Sequence, residues 1–240
     1  MPSFWKHVNK VLKESELVIE VLDARMIKET RNFEIEKKVE KLGKKMLYVV
    51  NKCDLVKKEE LDRIKLRPSV FISSTEHLGT TILKKKILEI SKGKAVTVGI
   101  LGYPNVGKSS LINALAGRGK ARTSAESGYT KGFQKIRVDK RIMLLDTPGV
   151  FPRREKDIIK HGKTGAISYA KLKDPETVVL GLIESEKERI LEYYDVKGDD
   201  PEEILEKIAL KLRKLRKKGL ADLEATARAI LKEWQKGKIN

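Results

Sequence analysis

The sequence predicts an α/β domain built on a mostly parallel sheet, followed by a small all-α domain. Three observations predict it. Short apolar, β-branched runs alternate with helical patterns between residues 17 and 145, the arrangement that gives parallel strands with helices on both faces. A complete G-x-x-x-x-G-K-[ST] stretch, Gly102-Tyr103-Pro104-Asn105-Val106-Gly107-Lys108-Ser109-Ser110, sits between one such run and one such helix. Beyond Pro175 the pattern becomes helix after helix.

Taken in order, Trp5, Val8 and Leu12 fall at i, i+3 and i+7 and predict an amphipathic helix over residues 3–14. Residues 17–22 read as a buried strand that empties into Asp23-Ala24-Arg25. Ile35, Val39 and Leu42 give a helix over 34–42, stopped by Gly43. A strand at 46–50 runs into Asn51-Lys52-Cys53-Asp54. A helix at 59–66 and a strand at 70–72 lead to Ser73-Ser74-Thr75. After a helix at 80–91 come the strand at 96–101, the glycine loop and its helix, then a polar, glycine-bearing stretch at 117–132. Strands at 133–138 and 141–145 end at Asp146-Thr147-Pro148-Gly149. The helices of the last region are expected at 176–182, 185–194, 201–218 and 221–236. The domain reading is therefore 1–150 for the α/β domain, 151–174 for a switch and linker segment, and 175–240 for the all-α domain. Functional loops at the carboxyl ends of the strands would share one crevice.

With 240 residues the chain can bury a sizeable core. No apolar run approaches the roughly 20 residues that span a bilayer, and the first residues lack the apolar core of a secretory signal, so a cytoplasmic protein without membrane contact is expected. The single cysteine, Cys53, excludes an internal disulfide and a multi-cysteine metal site. A formal charge of +18 predicts attraction to a polyanion, with nucleic acid ahead of lipid headgroups because no basic helix carries an exposed apolar stripe.

The loops carry specific chemistry. Gly102 and Gly107 let backbone N–H groups turn inward around an anion, with Val106, Ser110 and the positive end of the next helix completing the cradle. Lys108 can reach the outer phosphates and the Ser109 hydroxyl can ligate magnesium. Asp146 supplies a carboxylate for the same ion, Gly149 an N–H for the γ-phosphate, and Thr130 is the candidate switch threonine that completes the magnesium shell. In Asn51-Lys52-Cys53-Asp54, the Asp54 carboxylate can accept from both N1–H and the 2-amino group of guanine. Adenine offers neither. Asn51 would hold the loop and the Lys52 stem would cover the base, while Ser73-Ser74-Thr75 resembles the S-A-K loop that gives a backbone N–H to the guanine oxygen, with Thr75 a departure from its third position. The site thus calls for GTP or GDP with Mg2+, and Lys108, Thr130 and Gly149 are its catalytic candidates.

These motifs resemble those of a Ras-like GTPase in the wrong order, since base recognition precedes the P-loop. The chain resembles a circularly permuted Ras-like P-loop GTPase whose old termini are joined around residues 91–94. In particular it resembles the YlqF/RbgA family of ribosome-assembly GTPases, strongly over residues 15–150 and weakly over the helical domain. Asp23-Ala24-Arg25 is shared with that family; its usual proline-containing continuation is replaced by Met26-Ile27-Lys28. The resemblance implies binding to precursors of the large ribosomal subunit through rRNA; separately, a monomer is expected. Independently, Lys211, Arg213, Lys214, Arg216, Lys217 and Lys218 put a basic cluster on what reads as one helix, a candidate RNA contact whose alternative is a solvated face. Three other readings stay open: a GTPase acting on the small subunit or tRNA, an RNA-binding scaffold with negligible turnover, and an ATP-using P-loop enzyme, which Asn51 to Asp54 disfavour.

One absence bears on rate. The residue after Gly149 is Val150, where many Ras-like GTPases carry the glutamine that orients water. Slow intrinsic hydrolysis is expected, with stimulation by ribosomal particles. Asn105 resembles the P-loop asparagine of potassium-activated relatives, which makes it the candidate ligand of a K+ ion.

Overall fold

The computed structural model describes residues 3–117, 134–147, 149, 152 and 157–239. Two compact units divide between Glu155 and Lys156. The first unit runs α1 (Ser3–Glu14), β1 (Leu17–Asp23), α2 (Ile27–Thr30), α3 (Phe33–Lys41), β2 (Lys45–Asn51), α4 (Lys58–Asp62), β3 (Ser69–Phe71), α5 (Thr80–Ile90), β4 (Val96–Gly102), α6 (Lys108–Ala116), β5 (Gln134–Arg137) and β6 (Ile142–Asp146). The second holds α7 (Ile158–Lys163), α8 (Pro175–Ser185), α9 (Lys187–Tyr194), α10 (Pro201–Lys211) and α11 (Leu223–Gln235).

The six strands lie in the order β3-β2-β1-β4-β6-β5, all parallel except the β5 to β6 pair. This is the expected α/β architecture. Every residue of β1 is buried, as a central strand covered on both faces requires. On one face α1 contributes Trp5, Val8, Val11 and Leu12 to a core with Ile35 and Val39 of α3 and Val18, Leu101 and Leu145 of the sheet. Gly99 permits that close packing, because a Cβ there would meet Val11 Cγ1 at 2.5 Å. The turn at 91–94, where the permuted termini would be joined, carries Lys92 and Gly93 at positive φ.

One core residue is out of character. Glu20 lies in the middle of β1, fully buried. Its Oε1 accepts from the Asn32 N–H at 2.7 Å, and its Oε2 has no hydrogen-bond partner among the described residues. Burial pushes its carboxyl up to about 8, opposed by the Asn32 N–H and by Arg31 and reinforced by Glu36; Tyr48 lies close enough to feel its charge. The folded chain therefore holds a proton that the unfolded chain releases from about pH 4.5 upward, so stability falls as pH rises through this window. Glu20→Gln keeps the acceptor and removes the charge. It is expected to raise the melting temperature at pH 8 by about 2–4 °C for each kcal/mol relieved, and to change it little at pH 4.5. Equal shifts at both pH values would rule the charge out as the cause.

The helical unit corrects two expectations. The segment expected as a linker is, from Asp157 onward, part of this unit. Trp234 Nε1 donates to the Lys163 carbonyl at 2.8 Å, Gln235 Nε2 to the Gly162 carbonyl at 2.8 Å, and Arg228 to the carbonyls of Tyr169 and Leu172. Its polar, glycine-bearing sequence is buried by backbone bonding and close packing, which hydrophobic periodicity does not reveal. The second correction concerns the basic cluster. The helix expected over 201–218 ends at Lys211. Arg213 takes φ 52°, and the chain doubles back through a Leu215 to Ala221 bridge and a 3₁₀ turn at Lys217–Gly219. Six cations in eight residues would stand three and four apart on a continued helix and repel. Lys211 instead caps the loop of Asp195, donating to its carbonyl and carboxylate, while Arg213, Lys214, Arg216 and Lys217 are exposed on the hairpin-like turn. The side chain of Lys218 lies outside the described residues.

Candidate guanine-nucleotide site

The site is assembled where β1, β2, β3, β4 and β6 end. The P-loop closes between β4 and α6 with Gly102 at φ 150° and Gly107 at φ 96°. A Cβ at Gly102 would meet the Val21 carbonyl at 2.5 Å, and one at Gly107 would collide with the Asn51 amide. These glycines serve close approach as well as turning. No side chain caps the start of α6, so its first N–H groups are left for an anion.

Asn51 joins the loops. Its Nδ2 donates to the Val106 carbonyl of the P-loop at 2.9 Å, and its Oδ1 accepts from Ser74 N at 3.1 Å and Ser74 Oγ at 2.8 Å. The base-recognition loop, the P-loop and the Ser73-Ser74-Thr75 loop are thus one buried hydrogen-bonded unit. The Ser74 amide is spent on Asn51, which makes the Thr75 N–H the next amide available to a ligand. Ser73 is buried and its Oγ accepts from the Glu76 N–H, a role inside the loop. Lys52, at φ 61°, bridges Asp23 Oδ2 at 2.7 Å and the Asn105 carbonyl at 2.9 Å. Asp54 is exposed in the following 3₁₀ turn, which Cys53 N anchors to the Ile72 carbonyl at 3.1 Å.

On the phosphate side, Lys108 Nζ donates to the carbonyls of Gly102 and Tyr103 at 3.1 and 2.8 Å. Burial lowers its ammonium to about 8, opposed by the charge of Asp146. Burial raises the Asp146 carboxyl to about 6, opposed by Lys108. Asp146 Oδ1 is buried and has no hydrogen-bond partner among the described residues. An orphaned carboxylate oxygen beside a P-loop fits a divalent cation held with Ser109, which is half-buried at the start of α6. Gly149 lies against Pro104, where a Cβ would meet Pro104 Cα at 2.7 Å, so this position of the Asp146 loop tolerates no side chain. Thr130 and Val150 lie outside the described residues.

The sequence reading took Asp23 and Arg25 only as a shared family feature. In the structure Arg25 binds both Asp23 oxygens through Nε at 3.0 Å and Nη2 at 2.9 Å. Burial opposes the charge on Asp23, yet Lys52 and Arg25 overcome it and hold the carboxyl well below the usual range. The detectable signal was a charged pair at the end of a wholly buried strand.

Comparison with known proteins agrees with this geometry. The family model described as 50S ribosome-binding GTPase matches residues 97–218, half of the chain and beginning on the P-loop strand. The chain belongs to this GTPase family. Asn51, Lys52 and Asp54 precede the matched region, as permutation requires. A GNP-bound YlqF from Thermotoga maritima shares the fold, with a TM-score of 0.67 at 22% identity over 98% of this chain and 94% of that one. An uncharacterised GTP-binding protein of Methanocaldococcus jannaschii is 43% identical over 98% of the chain and 65% of its own length. Nucleolar GTP-binding protein 2 of Yarrowia lipolytica is 34% identical over 98% of the chain and 47% of its own length. The chain therefore spans between about half and two thirds of these relatives. Among the described residues, no helix is long and apolar enough to cross a membrane.

Proposed function

We propose that the chain binds and hydrolyses GTP and uses its nucleotide state to act on precursors of the large ribosomal subunit through rRNA. The observation that carries this reading is the Asn51 junction, which fixes a guanine-reading loop to a phosphate-binding loop. Ser109, Thr130 and Asp146 would hold Mg2+, which when bound neutralises charge on the phosphates. Lys108 then exchanges two carbonyl partners for phosphate oxygens, a gain for its charged form. Gly149 brings its N–H to the γ-phosphate because nothing larger fits against Pro104. The family description and the nucleolar GTP-binding relative support the ribosomal partner, and the exposed residues Arg213, Lys214, Arg216 and Lys217 support an RNA contact in the helical unit. The decisive experiment is sedimentation with separated large- and small-subunit particles in GTP, GDP and a non-hydrolysable analogue. Co-migration with large-subunit particles in the analogue and release in GDP is expected. Equal binding to both subunits, or binding blind to nucleotide, would overturn the reading.

A second reading, a scaffold with negligible turnover, is favoured by Val150 alone. A multiple-turnover assay with particles separates the two. Asn105 sits half-buried in the P-loop at φ 61°, and a neutral amide oxygen suits a monovalent cation. Hydrolysis is expected to be faster in potassium than in sodium, and Asn105→Ala to abolish that difference while GTP binding stays within a few-fold. Equal rates in both salts, with and without particles, would leave Asn105 a purely structural residue.

A further inference from the structure

The end of the sheet opposite the nucleotide crevice is strongly basic. Because five of the six strands are parallel, the loops that lead into them lie together at that end. Those leading into β2, β4 and β6, together with the first residue of β2, carry Lys44 and Lys45, Lys92 and Lys94, and Lys140 and Arg141. Neighbouring strands stand about 4.8 Å apart, so these loops extend over roughly 14 Å. The acids among them are engaged: Glu16 accepts from the Thr97 N–H, and Asp139 from the N–H groups of Arg141 and Ile142. Residues 1–155 carry +15 of the net +18, and residues 156–240 only +3.

A cleft of about 500 Å³ opens beside these loops between the C-terminal halves of α1 and α3. Leu12 and Leu42 give it apolar walls, Lys13, Lys38, Lys41 and Lys44 rim it, and Asn9 is its one amide. Two of the lysines are held in place. Lys38 lies 4.6 Å from the Trp5 ring centroid and donates to Asn9 Oδ1, and Lys44 donates to the Ser15 carbonyl. Lys13 and Lys41 are exposed.

We propose that this end of the sheet binds single-stranded RNA, with phosphates along the basic loops and one unstacked base in the cleft. The inference rests on RNA being the partner, and it assigns that partner a surface on the GTPase unit. A rim of cations without an acid selects a polyanion, and an apolar hollow of this size accepts a ring system that a duplex keeps stacked. Lys13 and Lys41 bind phosphate. Leu42 packs on the base.

The test uses the full chain with a 20-nucleotide poly(U) carrying 4-thiouridine and with an RNA duplex of equal length. Wild-type protein is expected to prefer poly(U) and to cross-link within residues 9–44. Lys13→Gln with Lys41→Gln should weaken poly(U) binding about tenfold and reduce the salt slope by about 1.4, at about 0.7 per phosphate contact. Leu42→Asp should remove the preference over duplex. Affinity for fluorescent GDP, unchanged in each variant, reports that the fold is intact. Cross-links confined to residues beyond 155, or an unchanged salt slope, would overturn this surface and leave the ribosomal reading standing. Competition by polyglutamate as strong as by poly(U) would assign the cleft to an acidic peptide instead. Failure of wild-type protein to bind any RNA, together with failure to sediment with particles, would overturn both.

Discussion

Asp54→Asn is expected to exchange guanine for xanthine as the preferred base. The Asp54 carboxylate stands in a turn held by Lys52 and Cys53, at the end of the strand that also carries Asn51. Guanine presents it with two donors, and each charge-assisted bond is worth about 1.5–3 kcal/mol. The amide variant keeps one acceptor and gains a donor, which faces the guanine 2-amino group unfavourably and the xanthine 2-oxygen favourably. Because Asp54 is exposed, water screens part of the sum, which places the expected loss of GTP affinity at about 10²–10³-fold. XTP should bind the variant more tightly than GTP does. Titration with fluorescent GDP, competed by GTP, XTP and ATP, measures this directly. ATP competing as well as GTP against wild-type protein would overturn the base assignment, whatever the variant does.

The second large effect is expected from Asn51→Ala, which touches no phosphate. Removing this side chain leaves the Val106 carbonyl and the Ser74 N–H and hydroxyl without partners in a buried position. Buried groups orphaned in this way cost about 1–3 kcal/mol each. The sum of about 3 kcal/mol or more corresponds to a melting-temperature loss on the order of 6–12 °C. Nucleotide affinity should fall further than stability does, because the guanine loop and the P-loop would no longer share a register. Ser74→Ala removes only one of the three bonds. It should cost about 1 kcal/mol and retain GTP binding, separating loss of the junction from general destabilisation. Wild-type affinity in Asn51→Ala would mean that the three loops are fixed by something else.

Much of the fold was legible because its signals are local. The wholly buried β1 reads as an apolar run broken only by Glu20, the P-loop strand and helix flank a fixed-spacing glycine motif, and two helices of the second unit open with Asp174-Pro175 and Asp200-Pro201, where both aspartates cap. The site was legible as a set of loops for the same reason. What the sequence hid is long-range pairing. Asn51 reaches Val106 across 55 positions and Ser74 across 23, and nothing in either stretch marks the partner. The basic run at 211–218 was misread as helix because its spacing fits one, while the acids that pair with it, Asp195 with Lys211 and Asp222 with Arg216, lie outside the run. The segment from Asp157 to Leu172 was misread as linker because its carbonyls are captured by Trp234, Gln235 and Arg228, more than fifty residues later.

The strand order β3-β2-β1-β4-β6-β5 also fixes a sequence of events during synthesis. The two central neighbours, β1 and β4, come from opposite halves of the first unit, with Leu17 paired to Val98 and Val21 to Gly102. A ribosome making this protein delivers β1, β2 and β3 first, so the guanine-reading loop exists before any phosphate cradle does. Until residues 96–106 emerge, one edge of β1 is unpaired and the Asn51 amide lacks its carbonyl. An unpaired edge on so apolar a strand is a site for wrong pairing. In the nascent chain the base-reading half therefore cannot complete its hydrogen bonds and is not expected to retain nucleotide. On the proposed reading, affinity for GTP is expected only once Asp146 and Gly149 have been added, so nucleotide capture would mark the chain whose sheet is complete.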